Sequence, residues 1–349
     1  MILQTKTVLP AEWSQQDGIL LCWPHKSTDW QALLAEVEPV FDQLVKYICQ
    51  HQKLILIAHD ENHQIAIKKR LSHKNINTSA IQWLIHPNND TWCRDYGPIT
   101  VIKNDHTHAL DFGFNGWGNK FAHDQDDQTN KKLKQNGLLT CNLESIDLIL
   151  EGGSIESDGQ GTLLTTEHCL LSPMRNPQLD KQQIEALLSE QLGIDHFLWL
   201  SHGYLEGDDT DSHVDNLARF CNETTIAYAS CHDKTDIHYQ ALKEMENELK
   251  AFRTRDDKAY TLIPLSIPKA IFEKEQRLPA SYVNFLITND YVLMPTFKDE
   301  QDLINKEKLQ SVFTDRNVIG IPSQDIIRQY GSIHCLSMQL PVNTLNTEN

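Results

Sequence analysis

Residues 53–60, KLILIAHD, place five apolar residues in succession from Leu54 to Ala58. The run has the length of a strand rather than a helix, and it reads as a buried β-strand. Upstream, GILLCW (18–23) is a second strand, bounded by Pro24. Downstream, AIQWLI (80–85) is a third. Between the first two, Thr28 or Asp29 caps a helical region in which Val37, Val40, Phe41, Leu44, Val45 and Ile48 recur at helical spacing, with the main helix expected to begin at Pro39. Asn62 to Leu71 supplies another helix. Strand, helix, strand, helix, strand is the order of an α/β protein.

The same order returns along the chain. TLLTTEHCLLSP (162–173) reads as a strand, Asp180 to Leu192 as a helix and HFLWL (196–200) as a strand. TIAYAS (225–230), a helix over His238 to Phe252, and the strand YTLIPLSIP (260–268) follow. Modules of about 60 residues succeed one another, too divergent in sequence to prove a repeat. No Ser/Gly linker divides them, so residues 1–341 are expected to form one catalytic domain, with the polar stretch 342–349 as a frayed tail.

Composition bounds the function. Of 349 residues, 40% are hydrophobic and 23% charged, as in globular proteins, and no apolar run is long enough to span a bilayer. The amino terminus lacks the apolar core of a signal peptide, so a cytoplasmic protein without membrane contact is expected. A net charge of −17 disfavours nucleic acid and favours cationic partners. The eight cysteines contain no CxxC, which argues against a zinc ribbon or a thioredoxin-like pair.

Four segments carry residues that folding alone does not explain. DDTDSHVDN (208–216), taken as extended, would align Asp209, Asp211, His213 and Asp215 on one face. The plain reading is an acidic loop in water. Alternatively, a His-x-Asp pair holds a cation and moves protons. NDTWCRDYGPI (89–99) sets Trp92 beside Arg94 and Asp95, an aromatic wall and a carboxylate suited to an amine or guanidinium. In ILEGGSIESDGQGTLL (149–164), Gly159 and Gly161 are turn residues of a hairpin. Gly152 and Gly153 allow close backbone approach, which would aim Glu151 into a cleft; the plain reading leaves Glu151 an ordinary surface acid. YGSIHCLSMQLP (330–341) offers Cys335, a buried strand thiol or, with His213, a thiolate nucleophile. Cys93 and Cys169 compete for that role and rank below it, Cys169 because it falls in an apolar strand. His25, His202 and His334 read as ordinary polar or core residues.

Together these segments resemble the agmatine deiminase family, relatives of the bacterial peptidylarginine deiminases in the guanidine-modifying superfamily. The resemblance runs over nearly the whole chain: LPAEW, WPH, WCRDYGP, FNGWGNK, EGGSIESDGQGTLLTTEHCLLSPMRNP, HVDNLARF, SYVNFLITN and IHC, in that order. It implies a five-module α/β propeller, the pentein fold, built of ββαβ-like units around a central active site. By matching motifs it implies Cys335 as nucleophile, His213 as general acid and base, Glu151 supporting the histidine, Asp95 and Asp215 gripping the guanidinium, and Trp92 walling the channel. It implies no cofactor and no metal. Three places depart from the family pattern: Ser212 stands where glycine commonly precedes the histidine, Tyr330-Gly331-Ser332 where a glycine run precedes IHC, and LSMQLP where glutamines usually end that segment.

The implied reaction is hydrolysis of agmatine to N-carbamoylputrescine and ammonia through a covalent thiouronium on Cys335. Deimination of arginine or peptidyl-arginine by the same site is the nearest alternative. From other classes, the acidic row around His213 would suit a divalent metal in a hydrolase, and a non-catalytic polyamine-binding protein would keep the cation site alone. The sequence leaves room for a homo-oligomer.

Overall fold

The computed structural model describes residues 6–346. Its strands repeat one connection: an antiparallel hairpin, a helix, and a return strand parallel to the second hairpin strand. Ile99–Lys103 pairs antiparallel with His106–Gly113, the helix Thr129–Gln135 follows, and Asn142–Ile149 returns parallel. Ile155–Ser157, Thr162–Thr166 and His196–Leu200 repeat the pattern around the helix Lys181–Leu192. Ala218–Asn222, Thr225–Ser230 and Thr261–Ser266 do so around Tyr239–Ala251. Leu286–Ile287, Tyr291–Thr296 and Asn317–Pro322 do so around Gln301–Val312.

The remaining module joins the two ends of the chain. Gln16–Cys22, Lys53–Ala58 and Ile81–Ile85 lie parallel, and Ser337–Pro341 adds antiparallel to Gln16–Cys22, with Ser337 opposite Leu21. Among the described residues there are thus five sheets of three or four strands, besides one small hairpin. The α/β class and the ββαβ-like unit agree with expectation. The wholly buried run Leu54–Ala58 is the central part of its strand.

Each helix lays one apolar stripe on its sheet. Val37, Val40, Phe41, Leu44, Val45 and Ile48 are all buried on the helix Leu34–Ile48. That helix begins five residues before the expected Pro39, because a 3-10 turn over Asp29–Leu33, capped by Thr28, already winds the chain. The helix Lys181–Leu192 starts at a capping box between Asp180 and Gln183 and stops at Gly193, whose φ of 72 is left-handed.

Three local expectations are corrected. The strand expected over 162–173 ends at Thr166, whose hydroxyl caps a helical turn over Glu167–Leu170, so Cys169 is helical. Residues 208–216 are not extended: Asp211 and Ser212 have φ of 65 and 64, and Val214–Asn216 is a 3-10 turn. Residues 342–346 of the expected frayed tail are packed. Asp17 Oδ2 accepts from the N–H groups of Thr344 and Leu345, both at 2.9 Å, and the Leu345 side chain is buried. Residues 347–349 lie outside the described residues.

Candidate active site

The five connections that carry the chain from one sheet to the next meet at one place. They bring Asp95, Glu151 with Gly153, the pair His213 and Asp215, Asn284, and Cys335. All five predicted catalytic positions are therefore gathered, each on a different connection except His213 and Asp215. Trp92 stands in the wall of the adjoining pocket.

Each side chain is fixed from behind. Asp95 lies on the single helical turn Cys93–Tyr96, and its oxygens accept from Gly153 N and Trp117 Nε1, each at 3.0 Å. Glycine at 153 is what permits this approach, since a Cβ there would lie 2.6 Å from His213 Nδ1 and 2.8 Å from Asp95 Oδ1. A Cβ on Gly152 would strike the Arg94 carbonyl at 2.3 Å. Glu151 receives Arg175 Nε on both oxygens, at 3.0 and 2.8 Å, with both side chains fully buried. Arg175 continues to Asp211 at 2.6 Å and to the Thr210 carbonyl at 2.9 Å, and so ties Glu151 to the loop that leads into His213.

That loop is wound by its own side chains. Asp208 accepts from Thr210 and from Ser212 N at 2.7 Å, and Thr210 Oγ1 accepts from His213 N at 3.2 Å. Asp211 pairs with Lys120 and Arg175 rather than facing His213. The acidic row therefore does not share a face, because two successive left-handed residues break the alternation. Ser212 occupies, with φ of 64, the position where the family pattern has glycine, and Tyr330 likewise has φ of 68.

His213 Nδ1 lies 3.6 Å from Asp95 and Nε2 lies 4.0 Å from Glu151, and neither nitrogen has a hydrogen-bond partner. Burial disfavours the imidazolium, but Asp95, Cys169 and Glu151 outweigh it and raise His213 well above its ordinary value. Burial raises Asp95 to about 6, aided by Asp215 and Glu151 and opposed by His213.

Cys335 donates to Asp215 Oδ2 at 3.4 Å and accepts from Asn284 Nδ2 at 3.1 Å. Burial and the charges of Asp215 and Asp95 push its thiol well above the ordinary value, so the unliganded site holds a neutral thiol. Burial also acts on Asp215, yet the hydrogen bond and charge of His334 hold its carboxyl below the usual range. Its second oxygen, Oδ1, is buried and without a partner.

Behind this floor lies a polar layer that the sequence reading missed. His334 presents Nδ1 to Asp215 at 2.8 Å and Nε2 to Glu12 at 2.9 Å, and so bridges the two carboxyl groups. Arg219 binds Glu12, Glu156 and the Phe285 carbonyl. His334 was read as an ordinary polar residue. Glu12, Trp117, Arg175, Arg219 and Asn284 were not singled out, although each lies within one of the quoted motifs: LPAEW, FNGWGNK, SPMRNP, HVDNLARF and SYVNFLITN.

Two groups of potential metal ligands occur among the described residues, Glu151 with Cys169 and His213, and Glu12 with Glu156 and His334. In each, an arginine already serves the carboxylates, Arg175 in the first and Arg219 in the second. Asp209, Asp211 and Asp215 do not assemble with His213 into such a group.

The site opens into a pocket of about 430 Å³. Cys335 and Asp95 line it, Trp92, Trp117, Phe121 and Tyr330 supply apolar surface, and Asp29, Asp90 and Asp209 add carboxylates. No helix among the described residues is long and apolar enough to cross a membrane.

Comparison with known proteins places this architecture. The family model described as Porphyromonas-type peptidyl-arginine deiminase matches residues 8–341. A Selenomonas ruminantium protein provisionally named an agmatine deiminase is 34% identical over 95% of both chains. Among solved structures, the C. jejuni agmatine deiminase, as a cysteine-to-serine variant with substrate bound, is 36% identical with a TM-score of 0.90 over 97% of this chain and 98% of that one. The agmatine deiminase of Enterococcus faecalis is 28% identical with a TM-score of 0.86 over 98% of both.

Proposed function

Because the chain belongs to the Porphyromonas-type peptidyl-arginine deiminase family, we infer from its site that it is an agmatine deiminase, a hydrolase of the guanidino C–N bond. The observation that carries the reading is the convergence of a buried thiol, an imidazole with both nitrogens unengaged and a buried carboxylate oxygen without a partner, beside an acid-lined pocket whose wall includes Cys335 and Asp95.

A guanidinium is a delocalised cation that resists nucleophiles and does not deprotonate at neutral pH. Asp95 and Asp215 orient it by charged hydrogen bonds, filling the open Asp215 Oδ1. Its arrival places positive charge where two carboxylates had raised the Cys335 thiol, and so favours the thiolate. Sulfur attacks the central carbon to form a C–S bond and a tetrahedral adduct. His213, held protonated by its carboxylates, gives its proton to one nitrogen, and the C–N bond breaks as ammonia leaves. The neutral imidazole then removes a proton from water, whose oxygen attacks the thiouronium carbon. Collapse expels the Cys335 sulfur and releases the ureido product. No cofactor enters these steps.

The pocket's carboxylates discriminate among guanidino compounds. Asp29, Asp90 and Asp209 suit the distal ammonium of agmatine, oppose the α-carboxylate of free arginine, and give nothing to the neutral backbone of a peptidyl-arginine.

Ammonia release from agmatine, arginine and a blocked peptidyl-arginine, with chelator present and against Cys335→Ala, tests the reading. Turnover of agmatine that survives chelator and vanishes in the variant is expected. Turnover lost to chelator, or retained by Cys335→Ala, would remove it.

A further inference from the structure

The proposed mechanism asks Asp215 to turn one oxygen to the guanidinium and to keep it there. A carboxylate rotates readily about its Cβ–Cγ bond, so burial alone does not decide which oxygen faces the substrate. In this structure the two oxygens differ. Oδ2 is taken by His334 Nδ1 at 2.8 Å and by Cys335 Sγ at 3.4 Å, while Oδ1 is buried and without a partner. Only the first of these contacts outlasts the opening step of the reaction, because the S–H proton leaves as the thiolate forms.

His334 is in turn held from the far side. Its Nε2 lies 2.9 Å from Glu12 Oε2, and its backbone N–H donates to Asn284 Oδ1 at 3.0 Å. Glu12 accepts from Ile287 N at 2.8 Å and from Arg219, a fully buried cation that also binds Glu156 and the Phe285 carbonyl. Both ring nitrogens of His334 are thus spent on carboxyl groups, and the ring offers the substrate nothing directly. Its effect on the reaction runs through Asp215.

Resting on the deiminase reading, we propose that His334 is a positioning residue for Asp215, its Nδ1–H holding Oδ2 and so presenting Oδ1 to the guanidinium, while Glu12 and Arg219 behind it fix the ring. His334 takes no part in bond making. Burial alone would raise the Asp215 carboxyl, and the His334 hydrogen bond helps to hold it below the usual range, in accord with a carboxylate that accepts from Nδ1–H.

The test separates the two ring nitrogens. Asparagine carries its amide nitrogen as many bonds from the backbone as Nδ1, and glutamine as many as Nε2. His334→Asn therefore keeps a donor to Asp215 and gives up Glu12, whereas His334→Gln keeps the contact with Glu12 and gives up Asp215. Ammonia release from agmatine and thermal unfolding are read on both, and agmatine binding by calorimetry on each in a Cys335→Ala background.

His334→Gln is expected to lose about 10²-fold in kcat/KM, the cost of misplacing an orienting group by about 1 Å. It should bind agmatine about tenfold more weakly, as a charged hydrogen bond is lost. His334→Asn should restore both quantities to within about fivefold of the parent. Each variant gives up one buried contact, so a purely structural role would make activity follow the loss of Tm in both. Equal kcat/KM in the folded asparagine and glutamine variants, or glutamine the more active of the two, would overturn the proposal. If only one folds, it decides alone: asparagine more than about tenfold below the parent, or glutamine within about threefold of it, overturns the proposal. If neither folds, the ring N–H resonance of His334 in the Cys335→Ala protein decides. It should move when agmatine is added, and an unmoved resonance overturns the proposal. Absence of turnover by the parent enzyme is a separate outcome that strikes the deiminase reading itself.

Discussion

Alanine at position 153 should silence the enzyme without unfolding it. The backbone of Gly153 is outside the left-handed region, so a side chain is tolerated locally, and its amide can still donate to Asp95. The added methyl is what disrupts. Its carbon would stand 2.6 Å from His213 Nδ1, 2.8 Å from Asp95 Oδ1 and 3.2 Å from Asp215 Oδ2, where ordinary contact begins at 3.4 Å. Moving the imidazole from 2.6 to 3.4 Å requires a shift of 0.8 Å, and Asp95 must yield 0.6 Å at the same time. A misplacement of about 1 Å in a reacting group costs about 10²-fold in rate. Here base and orienting carboxylate are displaced together, so kcat/KM for agmatine should fall at least ~100-fold, or about 2.7 kcal/mol of transition-state stabilisation. Overpacking should cost about 1–3 kcal/mol of stability, visible in a denaturant titration as a shifted but still cooperative transition. Gly152→Ala supplies the contrast, since its methyl would press on the Arg94 carbonyl rather than on reacting groups, and stability should suffer first. A folded Gly153→Ala enzyme with kcat/KM within about threefold of the parent would refute the idea that the two carboxylates and His213 hold the guanidinium at this spot.

Arg175→Met leaves Glu151 as an unpaired charge in a fully buried place, and should cost about 3–5 kcal/mol in a urea or guanidinium titration. Adding Glu151→Gln to that variant should return part of the loss, because no buried charge then lacks its partner. Burial, chiefly, pushes Asp90 to about 6 and Asp209 to about 7. Both are neutral acids below those values and carboxylates above them, so KM for agmatine should fall as pH rises through about 6 to 7. A guanidino compound without the distal ammonium should show only the lower part of that fall, the part due to Asp95, which is itself raised to about 6. Asp209→Asn should flatten the upper part of the agmatine profile and raise KM about two- to fivefold at pH 8, the size of a partly exposed charge contact.

The strands read from the sequence were short apolar runs that end at a turn residue, Leu54–Ala58 the plainest, whereas His106–Gly113 and Asn142–Ile149 interleave polar residues and were not read. The fivefold count was not readable from residue patterns, because what repeats is a hairpin, a helix and a return strand, while the side chains that fill them differ. The site was legible in its motifs. Asp95, Glu151, His213, Asp215 and Cys335 meet although they are spread over most of the chain, a placement that order along the sequence implies only through family resemblance. Pattern reasoning failed where backbone hand changes without glycine. Nothing in Asp211-Ser212 announces two left-handed residues, since the Asp208 carboxylate and Thr210 hydroxyl that stabilise them act across the turn. The buried layer of Glu12, Arg219 and His334 was invisible for a related reason: charged residues read as surface until their partners are known.

The strand Ser337–Pro341, which follows the nucleophile by one residue and pairs with Gln16–Cys22, also fixes when the enzyme becomes an enzyme. Synthesis delivers Gln16–Cys22 long before Ser337–Pro341, so the first sheet waits for its edge until the segment that carries Cys335 has been made. Cys335 reaches Asp215 and Asn284 only through that closure. A nascent or carboxy-terminally clipped chain therefore carries carboxylates and imidazole but no placed sulfur. The Cys335 thiol is armed when this edge closes, and copies that lack it are chemically mute.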